Sequence, residues 1–167
     1  MLKVIISLIF FAYSSVAFSG DSFKFIYAGF DFILPENQSV IGSMGGGDNI
    51  IIFRYGDVVG EKYISFTNMT NDENINYGCD AKEFFNDSFS FKKETSCNND
   101  QLTAFQSVFL LNRDYGVWGK EKNVYFSFDL SESIVFVLGK DGSVVKIDSD
   151  FLSKEELKDI LSNYVSE

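Results

Sequence analysis

Three apolar segments joined by short turns lie near the end of the chain, and they constrain the fold more than any other feature. Val124–Leu130 alternates between apolar and polar residues, as a half-buried strand does. Ser133–Leu138 is a short continuous apolar run, which is typical of a buried strand, and Ser143–Asp148 predicts a third strand. Between the last two segments, Asp141 and Gly142 form the turn signal of a β-hairpin. These segments predict three neighbouring antiparallel strands.

An amphipathic helix is predicted after these strands. Ser153 precedes Glu156 by three residues, which is the spacing of a capping box. Apolar residues then recur at spacings of three and four, which places them on one helix face: Leu157, Ile160, Leu161 and Tyr164. We expect this face to pack on the sheet. A partner-binding helix is the less favoured alternative, because most amphipathic helices bury their apolar stripe in their own core.

The first half of the chain also contains short apolar and alternating segments. The pair that surrounds Gly29 is interpreted as one bent strand or two strands, and the later ones predict one strand each: 23–27, 30–34, 39–43, 50–55 and 61–67. The sequence therefore predicts an α+β domain that is mostly an antiparallel β-sheet meander, with the C-terminal amphipathic helix packed on one face.

Two later segments are harder to interpret. Leu102, Phe105 and Phe109 have helical spacing, but the apolar run Ser107–Leu111 is typical of a buried strand, and we favour the strand. Tyr115–Gly119, which contains the single tryptophan, is interpreted as a turn.

The first 17 residues have the pattern of a secretory signal peptide. Lys3 supplies a basic start, an apolar run follows, and Ser15 and Ala17 match a small-residue cleavage site. We expect cleavage after Ala17, with Ser19 as the alternative, so that residues 18–167 form a single exported domain, either periplasmic or secreted. The apolar run is too short to span a bilayer comfortably, and no later run is long enough, so no membrane span is expected after the leader is removed.

Cys79 and Cys97 are the only two cysteines. In an exported chain such a pair usually forms a disulfide. Redox-active pairs more often have two residues between them. The sequence therefore predicts a structural disulfide that closes a polar loop.

The composition excludes several classes of function. The formal charge is −10, and removal of Lys3 with the leader makes it one unit more negative, which argues against nucleic-acid binding. The chain has no histidine, which removes the usual general base and the commonest metal ligand. The glycine-rich loop ending at Asp48 leads into a strand, so it lacks the pattern of a phosphate-binding loop. We therefore expect no cofactor and no enzymatic activity.

One loop resembles a calcium-binding loop in its spacing. Five oxygen-bearing residues match ligand positions of that loop: Asp72, Asn74, Asn76, Asp80 and Glu83. Tyr77 stands where the loop needs glycine, so the match is weak. A calcium-stabilised cell-envelope structural module therefore stays a minor alternative. A carboxylate-dependent hydrolase is another, although no spacing selects two acidic residues.

The function that we predict is that of a stoichiometric protein-binding module, such as an inhibitor or immunity-type factor. Its negative charge favours a basic protein partner, since opposite charges speed encounter. Polar loops that carry aromatic residues are candidate contact sites. The contact residues that we predict are Asp48, Asp114, Tyr115 and Trp118. Replacement of Trp118 by alanine is expected to reduce binding without unfolding the domain.

Overall fold

The computed structural model describes residues 21–45, 49–70, 76–119, 121 and 123–165, and the predicted signal peptide lies outside this part of the chain. The described strands are β1 (Ser22–Tyr27), β2 (Phe30–Pro35), β3 (Val40–Met44), β4 (Ile50–Arg54), β5 (Tyr63–Asn68), β6 (Asp114–Trp118), β7 (Val124–Phe128), β8 (Ser133–Leu138) and β9 (Val144–Ser149). The described helices are α1 (Ala81–Ser90), α2 (Asn99–Phe109), α3 (Lys154–Ile160) and α4 (Ser162–Val165).

The strands form two antiparallel sheets. β1 and β2 pair with each other as a hairpin. The other strands form one seven-stranded sheet in the order β3-β4-β5-β9-β8-β7-β6. Two meanders, β3 to β5 and β6 to β9, are joined where β5 pairs with β9. The predicted mostly antiparallel α+β architecture is confirmed, but it is built from two joined meanders and a separate hairpin.

Apolar side chains are buried on both faces of the seven-stranded sheet, which explains the continuous apolar run of β8. Val135 and Val137 belong to one cluster, which also contains side chains of the β1–β2 hairpin and of α3. Ile134, Phe136 and Leu138 belong to a second cluster, which contains side chains of α1 and α2. Successive side chains of a strand point to opposite faces, so each residue of β8 serves one of the two cores.

The C-terminal helix begins as predicted. The capping box is present: the Ser153 side chain accepts a hydrogen bond from Glu156 N, and the Glu156 carboxylate accepts from Ser153 N. The predicted apolar stripe is buried in the first cluster at Leu157, Ile160 and Leu161. The backbones of α3 and α4 both approach β2 of the hairpin.

The strand predicted within residues 107–111 is wrong, because Asn99–Phe109 form α2. Asn98 caps this helix, and its side chain accepts hydrogen bonds from the next turn. Leu102 and Phe105 are buried, and the ring centroids of Phe105 and Phe136 are 5.3 Å apart. Helical spacing, and not the local apolar run, therefore describes this segment.

Candidate functional site

The segment predicted to be a turn, residues 115–119, instead belongs largely to β6, an edge strand of the large sheet. Asp114, Tyr115 and Trp118, three of the four predicted contact residues, therefore lie on one strand. Asp48, the fourth, lies outside the described residues. Side chains alternate along a strand, so Asp114 and Trp118 lie on one face of the sheet while Tyr115 and Val117 lie on the other.

The hydrogen-bonding direction of β6 follows from the β7–β8 pair. Leu138 N donates to Asn123 O at 2.9 Å, directly beyond the register pair that begins at Val124. Hydrogen-bonded pairs recur at every second residue of an antiparallel ladder. The backbone of Tyr125 therefore faces β8, whereas the N–H and C=O groups of Val124 and Phe126 face β6.

Two residues of β6 direct their backbone groups away from the sheet. Trp118 and Gly116 lie opposite Val124 and Phe126, so their N–H and C=O groups face β7. By the same alternation, the N–H and C=O groups of Tyr115 and Val117 point outward. An edge of this kind is a template for pairing with a strand of another chain.

On one face of β6, aromatic rings form a short ladder with lysines above it. Trp118 stacks on Phe126 with ring centroids 4.6 Å apart, and Phe126 stacks on Phe128 at 5.2 Å. Lys154 Nζ lies 4.5 Å from the Phe126 centroid, and Lys158 Nζ lies 5.4 Å from the Trp118 ring. Cations above aromatic faces are favourable contacts. Trp118 is half-buried in this ladder, so it contributes to packing within the domain.

Asp114 is paired within the domain. Its Oδ2 atom lies 2.8 Å from Lys154 Nζ, and the two side chains are partly exposed. An exposed ion pair of this kind contributes little to stability, about 0–1 kcal/mol. Asp114 therefore presents a partly neutralised charge at the edge.

On the opposite face of β6, three apolar side chains are exposed together. Tyr115 and Val117 are each 38% exposed, and Phe91, at the end of α1, is 44% exposed. The ring centroids of Tyr115 and Phe91 are 5.8 Å apart, and those of Tyr115 and Phe89 are 6.1 Å apart. We call Phe91, Tyr115 and Val117, with the outward backbone groups of β6, the β6 edge surface.

Phe91 has an unusual backbone conformation. It is the C-cap of α1 with φ of 50° and ψ of 43°, and its N–H donates to the carbonyls of Asp87 and Ser88. This left-handed conformation usually belongs to glycine at a helix end. It costs a residue with a side chain roughly 1–2 kcal/mol. Sequence reasoning did not select Phe91, because no local signal marks a phenylalanine as a helix cap.

The predicted disulfide between Cys79 and Cys97 is confirmed, with the two Cα atoms 4.8 Å apart. Cys79 precedes Asp80, the N-cap of α1, and Cys97 precedes Asn98, the N-cap of α2. The bond therefore joins the starts of the two helices that cover the second face of the sheet.

The described candidates for calcium binding have local structural roles. The Asp80 side chain accepts a hydrogen bond from Glu83 N at 2.9 Å, and Glu83 Oε1 accepts from Ser96 Oγ at 2.7 Å. Asn76 Oδ1 accepts from Gly78 N at 3.2 Å. The other two candidates, Asp72 and Asn74, lie outside the described residues. The calcium loop therefore stays a prediction.

A cleft of about 580 Å³ lies where the β8–β9 turn meets the tip of the β1–β2 hairpin and α4. Several of its polar groups contact each other: Lys140 Nζ lies 3.8 Å from Glu121 Oε1, and Asp141 Oδ1 accepts from the Ser143 hydroxyl at 2.6 Å. The hydrogen bonds from Ser143 lower the pKa of the Asp141 carboxyl. The carboxylate of Asp141 is therefore engaged by Ser143 within its own turn.

Among the described residues, no helix is both long and apolar enough to cross a membrane. Comparison of the chain with protein-family models, with curated proteins and with solved structures gives no match.

Proposed function

We propose that this protein is an exported, non-enzymatic module that binds a protein partner stoichiometrically through the β6 edge surface. One observation carries the proposal: Tyr115 and Val117 present outward backbone groups and exposed apolar side chains on the same strand. In strand addition, main-chain hydrogen bonds supply affinity, and pockets for alternate side chains supply specificity. β6 offers both kinds of contact.

The conformation of Phe91 supports this role. The left-handed backbone is unfavourable for phenylalanine, yet it leaves the ring 44% exposed beside Tyr115. Strained residues cluster at sites where the strain has a use. Aromatic residues are also enriched among the side chains that dominate binding energy. We assign Phe91 and Tyr115 as the anchors of the partner.

The charge of the chain favours a basic partner, although the charge does not come from the β6 edge itself. Asp114 is paired with Lys154, so the local field there is weak. The formal charge of −10 acts from the rest of the surface and steers a cationic protein toward the domain. Association should therefore slow as salt screens that field.

Two observations support the part of the proposal that concerns export. The chain begins with the residue pattern of a cleavable leader. The Cys79–Cys97 bond is typical of proteins that fold in an oxidising compartment. We also infer that the C-terminal helix closes one face of the large sheet, since Leu157 and Val135 belong to one buried cluster. With that face covered, the edge strands of the large sheet still offer backbone groups for strand addition.

Affinity capture from the native envelope or culture fluid tests the proposal. The matched baits are the wild-type protein, Val117→Pro and Ser43→Pro. Proline at 117 removes an outward N–H that β7 does not use, and proline at 43 makes the same change on the other edge strand. We expect one protein to be retained at 1:1 stoichiometry by the wild type and by Ser43→Pro, and lost with Val117→Pro. Equal retention by all three baits would contradict the β6 assignment.

A further inference from the structure

The opposite edge strand of the large sheet, β3, is exposed and uncharged. All five of its residues are exposed, and the apolar ones are highly so: Val40 is 46%, Ile41 58% and Met44 57% exposed. Edge strands are usually protected by charged residues, proline or a bulge. The sequence of β3, Val-Ile-Gly-Ser-Met, contains neither a charge nor a proline. β3 is therefore an open template for strand pairing.

The direction of its backbone groups follows from the neighbouring pair. Asn68 N donates to Asn49 O at 2.8 Å, directly beyond the β4–β5 register pair that begins at Ile50. Alternation along the ladder then turns the backbones of Ile50 and Ile52 toward β3. Their partners on β3, including Gly42, face β4 in return.

By the same alternation, Ile41 and Ser43 direct their N–H and C=O groups outward. These two residues lie symmetrically on either side of Gly42. If two β3 strands pair antiparallel about Gly42, Ile41 of each copy lies opposite Ser43 of the other, with four backbone hydrogen bonds. The remaining positions place Val40 opposite Met44, so exposed apolar side chains meet on one face.

We propose that β3 pairs with β3 of a second copy of this chain, antiparallel and with a twofold axis through Gly42. The choice of a second copy rests on charge and on symmetry. The chain carries a formal charge of −10, and β3 is a strand on which two copies meet without facing like charges. Isologous contacts of this kind give the twofold dimers that are commonest among oligomers. The dimer is a continuous sheet with a β6 edge at each end.

Gly42 provides a direct test of the register. A β-carbon at this position has no heavy atom within 4 Å, so the domain accommodates a side chain there. In the twofold register the two Gly42 residues form a non-hydrogen-bonded pair, with Cα atoms about 4.5 Å apart. A disulfide spans that separation. Ser43 lies opposite Ile41 of the second copy, so the two Ser43 residues are offset by two positions along the paired strands. Ser43→Cys is therefore the matched control.

We expect Gly42→Cys to form a disulfide-linked dimer under mild oxidation, and Ser43→Cys to stay largely unlinked under the same conditions. Non-reducing electrophoresis and intact mass separate the two results. Efficient linking of both variants, or of neither, would overturn the proposed register.

Sedimentation velocity over a range of protein concentrations tests the dimer without a new cysteine. The wild-type protein is expected to shift from monomer to dimer as concentration rises. Ser43→Pro and Ile41→Lys should remain monomeric with unchanged circular dichroism, and Val117→Pro should dimerise like the wild type. A wild-type protein that stays monomeric at every concentration, or dimers that persist in both β3 variants, would overturn the proposal.

Discussion

The ring of Phe126 lies over Gly116, the residue opposite it on the edge strand β6. A β-carbon on Gly116 would be only 2.7 Å from Cζ of this ring. Trp118 and Phe128 stack on the same ring, so Phe126 cannot retract freely. The absence of a side chain at Gly116 thus allows an aromatic residue of β7 to cover the edge strand and hold it to the sheet.

Replacement of Gly116 by alanine should destabilise the domain. The added methyl group forces the Phe126 ring out of its stack, and overpacking of this kind costs about 1–3 kcal/mol. Gly42→Ala, compared at protein concentrations where both variants are monomeric, is the matched control, because within one domain a β-carbon at Gly42 meets nothing within 4 Å. Urea unfolding should show a lower midpoint for Gly116→Ala alone. Equal midpoints for the two variants would show that the ring has room to move.

Loss of the disulfide should lower stability without changing the fold. In the chain-entropy model a loop of this length contributes roughly 2–4 kcal/mol, because the bond restricts the unfolded chain. Cys79→Ser with Cys97→Ser should therefore unfold at a lower urea concentration than the wild type. Reduction of the wild-type protein should reproduce the shift, and a double variant as stable as the oxidised protein would contradict this role.

Stability should fall at alkaline pH because of a buried tyrosine. Burial, followed by the charge of Asp80, raises the pKa of Tyr125 to about 12, while its hydroxyl donates to Asn86 Oδ1 at 2.9 Å. In the unfolded chain, the pKa of a tyrosine is about 10. The folded-state pKa is the higher one, so this contribution is complete below pH about 10 and is lost as pH rises through about 12.

The free energy of unfolding should therefore decrease across this pH window. Tyr125→Phe cannot ionise at this position, so its decrease should be shallower, although Tyr55, whose pKa burial also raises to about 12, still contributes. Urea titrations at successive pH values measure both slopes. Parallel pH profiles for the wild type and Tyr125→Phe would exclude Tyr125 as a source of the dependence.

Trp118 and Tyr115 should respond differently to replacement by alanine. Trp118 is half-buried and stacked on Phe126, so Trp118→Ala should cost about 2 kcal/mol, less than the removal of a fully buried ring. Tyr115 is 38% exposed, and Tyr115→Ala should cost less than about 1 kcal/mol. Tyr115→Ala is therefore the better probe of partner binding, and thermal unfolding of the two variants gives the comparison. A larger loss for Tyr115→Ala would reverse this assignment.

Local patterns in the sequence predicted the parts of the fold that local interactions determine. The capping box of Ser153 and Glu156 depends on residues within one helical turn, and it is present as expected. The three strands from Val124 onward were identified by an alternating segment, a continuous apolar run and a hairpin turn signal, and the disulfide was identified because an exported chain with two cysteines usually pairs them.

Long-range contacts decided the elements that local patterns did not identify. Phe105 and Phe109 both pack near Phe136, so a segment with an apolar run folds as a helix over the sheet. The turn signals around Trp118 are overridden by pairing with β7 and by the ring of Phe126 over Gly116. The exposed pair formed by Phe91 and Tyr115 arises only when α1 and β6 are brought together, which no local pattern shows.

Amide hydrogen exchange of the captured complex tests partner binding at the β6 edge most directly. Strand addition satisfies the outward N–H groups of Tyr115 and Val117, so these two amides should exchange more slowly in the complex than in the free protein. The amides of Gly116 and Trp118, which already face β7, provide the internal reference. Protection gained specifically at Tyr115 and Val117 is the predicted result. Unchanged exchange at both amides, with protection gained elsewhere on the surface, would contradict strand addition at β6.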